Sequence, residues 1–358
     1  MIAAHSRPVS SRIKTLIVDD APFMRKAVQA ILGRSDMIEV VGTASNGQEC
    51  LSRIAEQRPD VITLDIDMPV MNGISAVKNI MVRYQIPIVI ISSLVQDGYF
   101  AFEALRLGVM DFIPKPSKVG KMNWVDEEEL IRKRVLTAAG MQVHRMRRVR
   151  CKHWPGPVKP NPGSIPAGAV VMGTTLAGPN TVMHLVTALP PGFNSVIIAL
   201  QEIHPRILAP FCSYFNQISP MEVVPVTSSC PLLPGKVYIG STFSALSVEK
   251  SKRGSSELEV RATPNGKSPI NRLFASVARH FGNKTCGVLL TGIGTDGADG
   301  MAKIKAAGGL TIAQEKSCCP YPSLVENVVE KGIVDAVLSI QGIVDRLKSW
   351  TDHPNSCE

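Results

Sequence analysis

The chain has 358 residues, 45% of them hydrophobic and 19% charged, with a formal net charge of +9. That length exceeds one ordinary hydrophobic core and calls for two domains of about 120 to 200 residues each. The composition excludes a disordered chain, no apolar run reaches the roughly 18 to 20 residues of a membrane span, and the opening residues carry no export signal. Eight cysteines at irregular spacings, with no CxxC pair, suggest neither a zinc site nor a disulfide framework and imply a reducing cytoplasm.

In chain order, TLIVDD, IEVVGTAS, DVITLDID, IPIVIISS and MDFIPKP each read as a short buried strand, with helical patterns such as Phe23 to Leu32 and Gly47 to Ile54 between them. This βα alternation predicts an α/β, doubly wound, flavodoxin-like domain over residues 13–120. Residues 121–166 form a linker, helical in composition from Asp126 to about Arg150 and proline-rich from Trp154 to Gly163. Its basic run from His144 to His153 reads as a solvated segment, and no nucleic-acid partner is expected. A second α/β domain with a mostly parallel sheet is predicted over 167–350, from AVVM, SVIIALQ, MEVVPV, GKVYI, CGVLLT and GLTIAQ.

Function in an open parallel sheet gathers at the carboxyl ends of its strands. In the first half those ends carry Asp19-Asp20, Asp65, Ser92-Ser93 and Lys115. Three carboxylates at one edge would repel unless a hard cation joined them, and Mg²⁺ with oxygen ligands is the natural choice. One carboxylate could then attack phosphorus while the metal, a lysine and a hydroxyl stabilise the phosphoryl oxygens.

LIVDDAPFMR, TLDIDMPVMNGI, IVIISSL and DFIPKP resemble the four signatures of a two-component receiver domain. The resemblance covers residues 13 to about 118. It implies that Asp65 accepts phosphate from a histidine kinase, and that Asp19, Asp20, Asp65 and the backbone of Ile66 or Asp67 hold Mg²⁺. Ser92 and Lys115 would contact the phosphoryl group, Phe112 would be the switch aromatic, and Pro69 and Gly73 would belong to the loop after Asp65.

The order receiver, linker, second α/β domain resembles the CheB family of chemotaxis response-regulator methylesterases and glutamine deamidases. MGTTLAGP, LPPGF, IIALQE, LLPGKVYI, VLLTGIGTDGADGM and KGIVDAVLSIQGI carry that resemblance from about Val170 to Val344. The family removes methyl esters from receptor glutamates with a serine in G-A-S-T-G-G-P, a histidine in Q-H-M-P and an aspartate in G-M-G-x-D-G. Here the aspartate position is Asp296, the serine position is Thr175 and the histidine position is Glu202, with His204 two residues on as the alternative. The segment Ser241 to Leu246 also lacks the family's glycine- and histidine-bearing loop.

The exchanges weaken the chemistry. Threonine's added methyl crowds a turn shaped for serine and restricts χ1. Glutamate, with an ordinary pKa of about 4.3, is a poor base for a hydroxyl, and no imidazole remains for Asp296 to orient. Two classes of function follow. One is hydrolysis of glutamyl methyl esters and deamidation of glutamines, weak or lost here. The other is a catalytically inactive, phosphorylation-controlled binding or adaptor protein. Implied partners are a chemotaxis histidine kinase and methyl-accepting chemotaxis receptors. The Gly292–Gly297 run also fits GxGxxG, but it lies deep inside its domain, and the family's aspartate turn explains the same glycines. Cys318-Cys319 read as idle thiols.

Overall fold

The computed structural model describes residues 12–93, 98–115, 124–150, 166–251, 258–264 and 266–352. The proline-rich stretch expected to separate the domains lies outside them. The chain divides into two compact units, 1–94 with 109–143, and 95–108 with 144–358.

The first stretch alternates strand and helix: β1 (Ile13–Val18), α1 (Pro22–Leu32), β2 (Ile38–Ala44), α2 (Gly47–Glu56), β3 (Val61–Leu64), α3 (Gly73–Arg83), β4 (Ile88–Ser92), α4 (Gly98–Leu107), β5 (Asp111–Pro114) and α5 (Trp124–Ala138). Its five strands form a parallel sheet in the order β2-β1-β3-β4-β5. All residues of β3 and β4 are buried, as strands covered on both faces must be, which is why VITL and IVIIS read as unbroken apolar runs. Asn46 and Asn72 cap α2 and α3 by accepting the backbone N–H of Glu49 and Ser75. These caps fix where the chain leaves each strand end, and so where the side chains at the sheet's carboxyl edge point. Helix α4, although it lies between β4 and β5 in the chain, belongs to the second unit.

The second stretch contains β6 (Ala169–Gly173), α6 (Gly178–Ala188), β7 (Val196–Gln201), α7 (Pro205–Phe215), β8 (Glu222–Pro225), β9 (Cys230–Pro231), β10 (Lys236–Ser241), β11 (Ser244–Lys250) and β12 (Leu258–Pro264). It continues with α8 (Pro269–Phe281), β13 (Thr285–Leu289), α9 (Ala298–Ala306), β14 (Leu310–Gln314), α10 (Ser323–Glu330), β15 (Ala336–Leu338) and α11 (Ile340–Asp352). Seven strands make a parallel sheet ordered β15-β14-β13-β6-β7-β10-β8. The two α/β units with their parallel sheets are the predicted fold class.

Two features exceed the sequence reading. Strand β15 is only three residues long and half exposed, too short to carry a period. Strands β11, β12 and β9 form a small antiparallel sheet, and Ser241 to Leu246 is the end of β10, a tight turn and the start of β11.

The core of the second unit lies between the large sheet and α8. Ile270, Leu273, Phe274 and Val277 recur at i, i+3, i+4 and i+7 and are fully buried. The helix approaches so closely that a Cβ on Gly173 would lie 2.5 Å from Ile270 Cγ2. Glycine at the end of β6 is therefore a packing requirement. Truncating Phe274 to alanine would cost about 3–5 kcal/mol.

Candidate functional site

At the carboxyl edge of the first sheet, Asp19, Asp20 and Asp65 offer carboxylate oxygens that all lie within 4.8 Å of one another. Asp19 and Asp65 are buried, and Asp20 is exposed. Lys115 Nζ reaches both buried carboxylates, 2.7 Å from Asp19 Oδ2 and 2.6 Å from Asp65 Oδ2. The remaining oxygens are oriented by backbone: Asp19 Oδ1 accepts from Ala21 N–H and Asp65 Oδ1 from Ile66 N–H. Arg25 Nη1 donates to the carbonyls of Asp19 and Asp20, tying α1 to the acidic turn.

Burial lifts the Asp19 carboxyl above the ordinary carboxylate range, although the Lys115 bond and charge pull the other way. Burial likewise opposes the Lys115 ammonium, but its bonds to Asp19 and Asp65 outweigh that and raise its pKa. Three carboxylates facing one ammonium leave an excess of two negative charges. An all-oxygen donor set with that excess fits a hard divalent cation.

The loop after Asp65 is closed by Gly73 N–H donating to Ile66 O at 2.9 Å. A Cβ on Gly73 would lie 2.2 Å from Asp65 O, so only glycine lets α3 start against the backbone of the central aspartate. Ser92 is fully buried at the end of β4, and its carbonyl accepts from Lys115 N–H. Phe112 is fully buried within β5, paired in register with Ile90. The structure thus brings Asp19, Asp20, Asp65 and Lys115 into one cluster, with Ser92 and Phe112 on the adjoining strands.

In the second unit β13, β6 and β7 are adjacent. Gly173 pairs with Leu289 on one side and Leu200 on the other. Thr175 and Glu202 each stand two residues beyond the Gly173–Leu200 pair, and Asp296 follows β13. The three positions therefore share one sheet edge.

What each side chain does there differs from a working triad. Thr175 Oγ1 accepts the N–H of Ile293 at 2.7 Å and donates to the Ile293 carbonyl at 3.3 Å, so its proton points at backbone. Asp296 binds the start of α8: Oδ2 accepts from Ile270 N–H at 2.8 Å and Oδ1 from Asn271 N–H at 3.0 Å. Asn271 in turn binds the start of α9, its Oδ1 accepting from Gly297 N–H at 3.0 Å and Gly300 N–H at 2.7 Å. Two helix N-termini thus cap each other through Asp296 and Asn271. This reciprocal cap was not anticipated, because its halves are 25 residues apart and neither precedes its helix in the usual Ncap spacing.

His204 is buried at the N-cap of α7, where Nδ1 accepts from Arg206 N–H at 3.2 Å. Its ring packs against Phe243 with centroids 5.8 Å apart. An accepting Nδ1 places a neutral ring's proton on Nε2. Glu202 is half-buried directly after β7. The turn's left-handed residue is Ala177, at φ 59° and 1% exposed, where the family pattern has glycine. Burial pushes the Cys319 thiol up to about 12, which leaves it protonated and inert.

A parallel sheet edge holding an acidic cluster and lysine, followed by a second parallel sheet with a strand-to-helix turn and aspartate loop, defines a response regulator joined to a hydrolase-type domain. Residues 15–123 match the family model of the response regulator receiver domain, and residues 170–347 match that of CheB methylesterase. The chain is 33% identical over 344 residues to protein-glutamate methylesterase/protein-glutamine glutaminase 3 of Syntrophomonas wolfei, covering 92% of this chain and 97% of that protein. It is 32% identical over 339 residues to the protein-glutamate methylesterase/protein-glutamine glutaminase of Pyrococcus horikoshii, covering 93% and 92%. The crystal structure of the Thermotoga maritima CheB methylesterase catalytic domain is similar at 25% identity and a TM-score of 0.48, over 52% of this chain and 99% of that one. The chain belongs to the CheB family of chemotaxis response regulators, the protein-glutamate methylesterase/protein-glutamine glutaminases. No described helix is long and apolar enough to cross a membrane.

Proposed function

We propose that this chain is a phosphorylation-controlled member of the family whose hydrolytic centre has lost most or all of its chemistry. In this reading Asp65 receives a phosphoryl group from a chemotaxis histidine kinase. Asp19, Asp20 and Asp65 hold Mg²⁺, which when bound offsets phosphoryl charge. Lys115 and Ser92 contact the phosphoryl oxygens, and Phe112 is the switch aromatic. The protein works in the cytoplasm on methyl-accepting receptors, chiefly by binding them.

One observation carries the catalytic half. Both oxygens of Asp296 accept backbone N–H groups of α8 and the histidine position is Glu202, so among the described residues no imidazole is hydrogen-bonded to Asp296 or to the Thr175 hydroxyl. A hydroxyl attacking an ester must give up its proton, and Thr175 directs its proton at a carbonyl oxygen that cannot take it. Ile293 N–H, a donor suited to a developing oxyanion, is bonded to the same hydroxyl.

The deciding measurement is methanol release from methylated receptor, with and without acetyl phosphate and Mg²⁺. The expected result is release near the uncatalysed level under both conditions. Phosphodonor-stimulated turnover that disappears in Thr175→Ala would overturn the reading and make Thr175 a nucleophile.

A further inference from the structure

The second unit has a cavity of about 470 Å³ outside the triad positions, walled by β11, α8 and α9. Its rim carries four cations, Lys267, Arg272, Arg279 and Lys303. Each is exposed, and none forms an ion pair or side-chain hydrogen bond with the described residues. Two carboxylates also line it. Glu249 is engaged by Ser247 Oγ at 3.0 Å and by Arg261 at 3.5 Å. Asp299 sits in the first turn of α9, where the helix dipole favours it. The unneutralised charge of the cavity is therefore positive.

The arrangement is ordered. Arg272, Ala275, Ser276 and Arg279 fall at i, i+3, i+4 and i+7 on one face of α8. The two arginines thus stand two turns apart, about 10 Å along the axis, with a floor of small side chains between them. Ser276 fixes that floor to the wall: its Oγ accepts from Val248 N–H at 2.9 Å and donates to Leu273 O at 2.8 Å. The cavity is therefore a groove on regular elements, with an arginine at each end of its α8 face.

We infer that this groove binds a carboxylate-rich protein segment, with glutamates about two helical turns apart engaging Arg272 and Arg279. Guanidinium groups suit carboxylates because they bond them bidentately. The two arginines leave α8 two turns apart instead of from one turn, which disfavours a single phosphate. Among the described residues lining it there is no aromatic side chain on which a base could stack, which disfavours single-stranded nucleic acid. The inference deepens the proposed receptor-binding function by naming the ligand class, and rests on it only for the source of the segment.

The test uses the full chain and fluorescence anisotropy, and needs no turnover. The probe is a labelled helical peptide of about 20 residues with glutamates two turns apart, beside the same peptide with glutamines. Tighter binding of the glutamate peptide, weakened at least about tenfold by Arg272→Gln with Arg279→Gln and by added salt, supports the inference. Both positions are exposed, and an unchanged circular dichroism spectrum separates lost binding from lost folding. Equal binding of the two peptides would overturn it, as would an unchanged affinity in the double variant. So would a single-stranded oligonucleotide that binds as tightly and is lost in the same variant. The anisotropy readout requires neither phosphorylation nor turnover, so an error about catalysis and an error about the groove are distinguishable.

Discussion

Both units place polar residues at the carboxyl ends of parallel strands, yet the two edges use them differently. In the first, backbone N–H groups hold one oxygen each of Asp19 and Asp65, but Lys115 bridges the other two, and three carboxylates converge with charge to spare. In the second, side chains face backbone: Thr175 is clasped by Ile293, Asp296 caps α8, and Asn271 caps α9. A group bonded only to backbone is held in one state by the fold. A group balanced against other titratable side chains can change state when a ligand arrives. On the proposed reading the first edge does chemistry, and the second holds its loops together.

The comparison breaks most visibly at Asp65. Acetyl phosphate with Mg²⁺ should add one acid-labile phosphoryl group to the wild-type chain, and Asp65→Asn should abolish it. Intact-mass measurement reads this directly. Undiminished labelling of that variant would remove the assignment of the first edge as reactive.

How much of this was legible in the sequence follows the same division. Asp19, Asp65 and Lys115 could be read as a site because each ends a strand whose apolar run is unmistakable, so topology alone assembles them. Thr175, Glu202 and Asp296 could be placed by the same logic. Their bonding could not, since it depends on backbone N–H groups of α8 and of the Ile293 loop, which no residue type signals. The cationic groove was equally hidden. Its arginines lie on a helix whose apolar stripe was plain only once the start of α8 was known, and its wall is an antiparallel strand with serine and glutamate among its apolar residues. Residues that touch backbone, and surfaces that need a third element to close them, carry no period to read.

The next largest effect concerns restoring the second edge. Thr175→Ser with Glu202→His should raise methanol release from methylated receptor by at least about 10², since a nucleophile and its base act as a unit worth about 10⁴ or more in working triads. Neither single change should suffice. The full gain is not expected, because Asp296 already accepts two α8 N–H groups and would have to take the new imidazole as a third donor. If Thr175→Ser alone restored most of the rate, Glu202 would already be serving as base, and the contrast between the edges would fail.

A smaller effect separates a structural Asp296 from a catalytic one. Asp296→Ala orphans the Ile270 and Asn271 N–H groups and should lower stability by about 2 kcal/mol, within the range of lost helix caps and charge-assisted bonds. Asp296→Asn keeps one acceptor and should cost about half as much. Thr175→Ala should cost less than Asp296→Ala, since Thr175 is only partly buried and its partner Ile293 is an exposed residue. Denaturant midpoints rank the three. If Asp296→Ala were neutral, its carboxylate would not be holding α8 and would be free for other work.

The smallest effect tests whether the second edge still stores strain in its turn. Ala177 sits at φ 59°, where an L-residue is disfavoured by about 1–2 kcal/mol relative to glycine. Ala177→Gly would relieve that strain. It would also remove a buried methyl, a loss of about 0.8 kcal/mol, and widen the unfolded ensemble by about 0.5–1 kcal/mol. These terms oppose one another and nearly cancel, so the midpoint should move by no more than about 0.5 kcal/mol. A clear stabilisation, above about 1 kcal/mol, would mean the methyl is poorly packed and the turn is held in tension. A loss of that size would mean the methyl is a packing element that has replaced the family's glycine, and that the turn has been rebuilt around it.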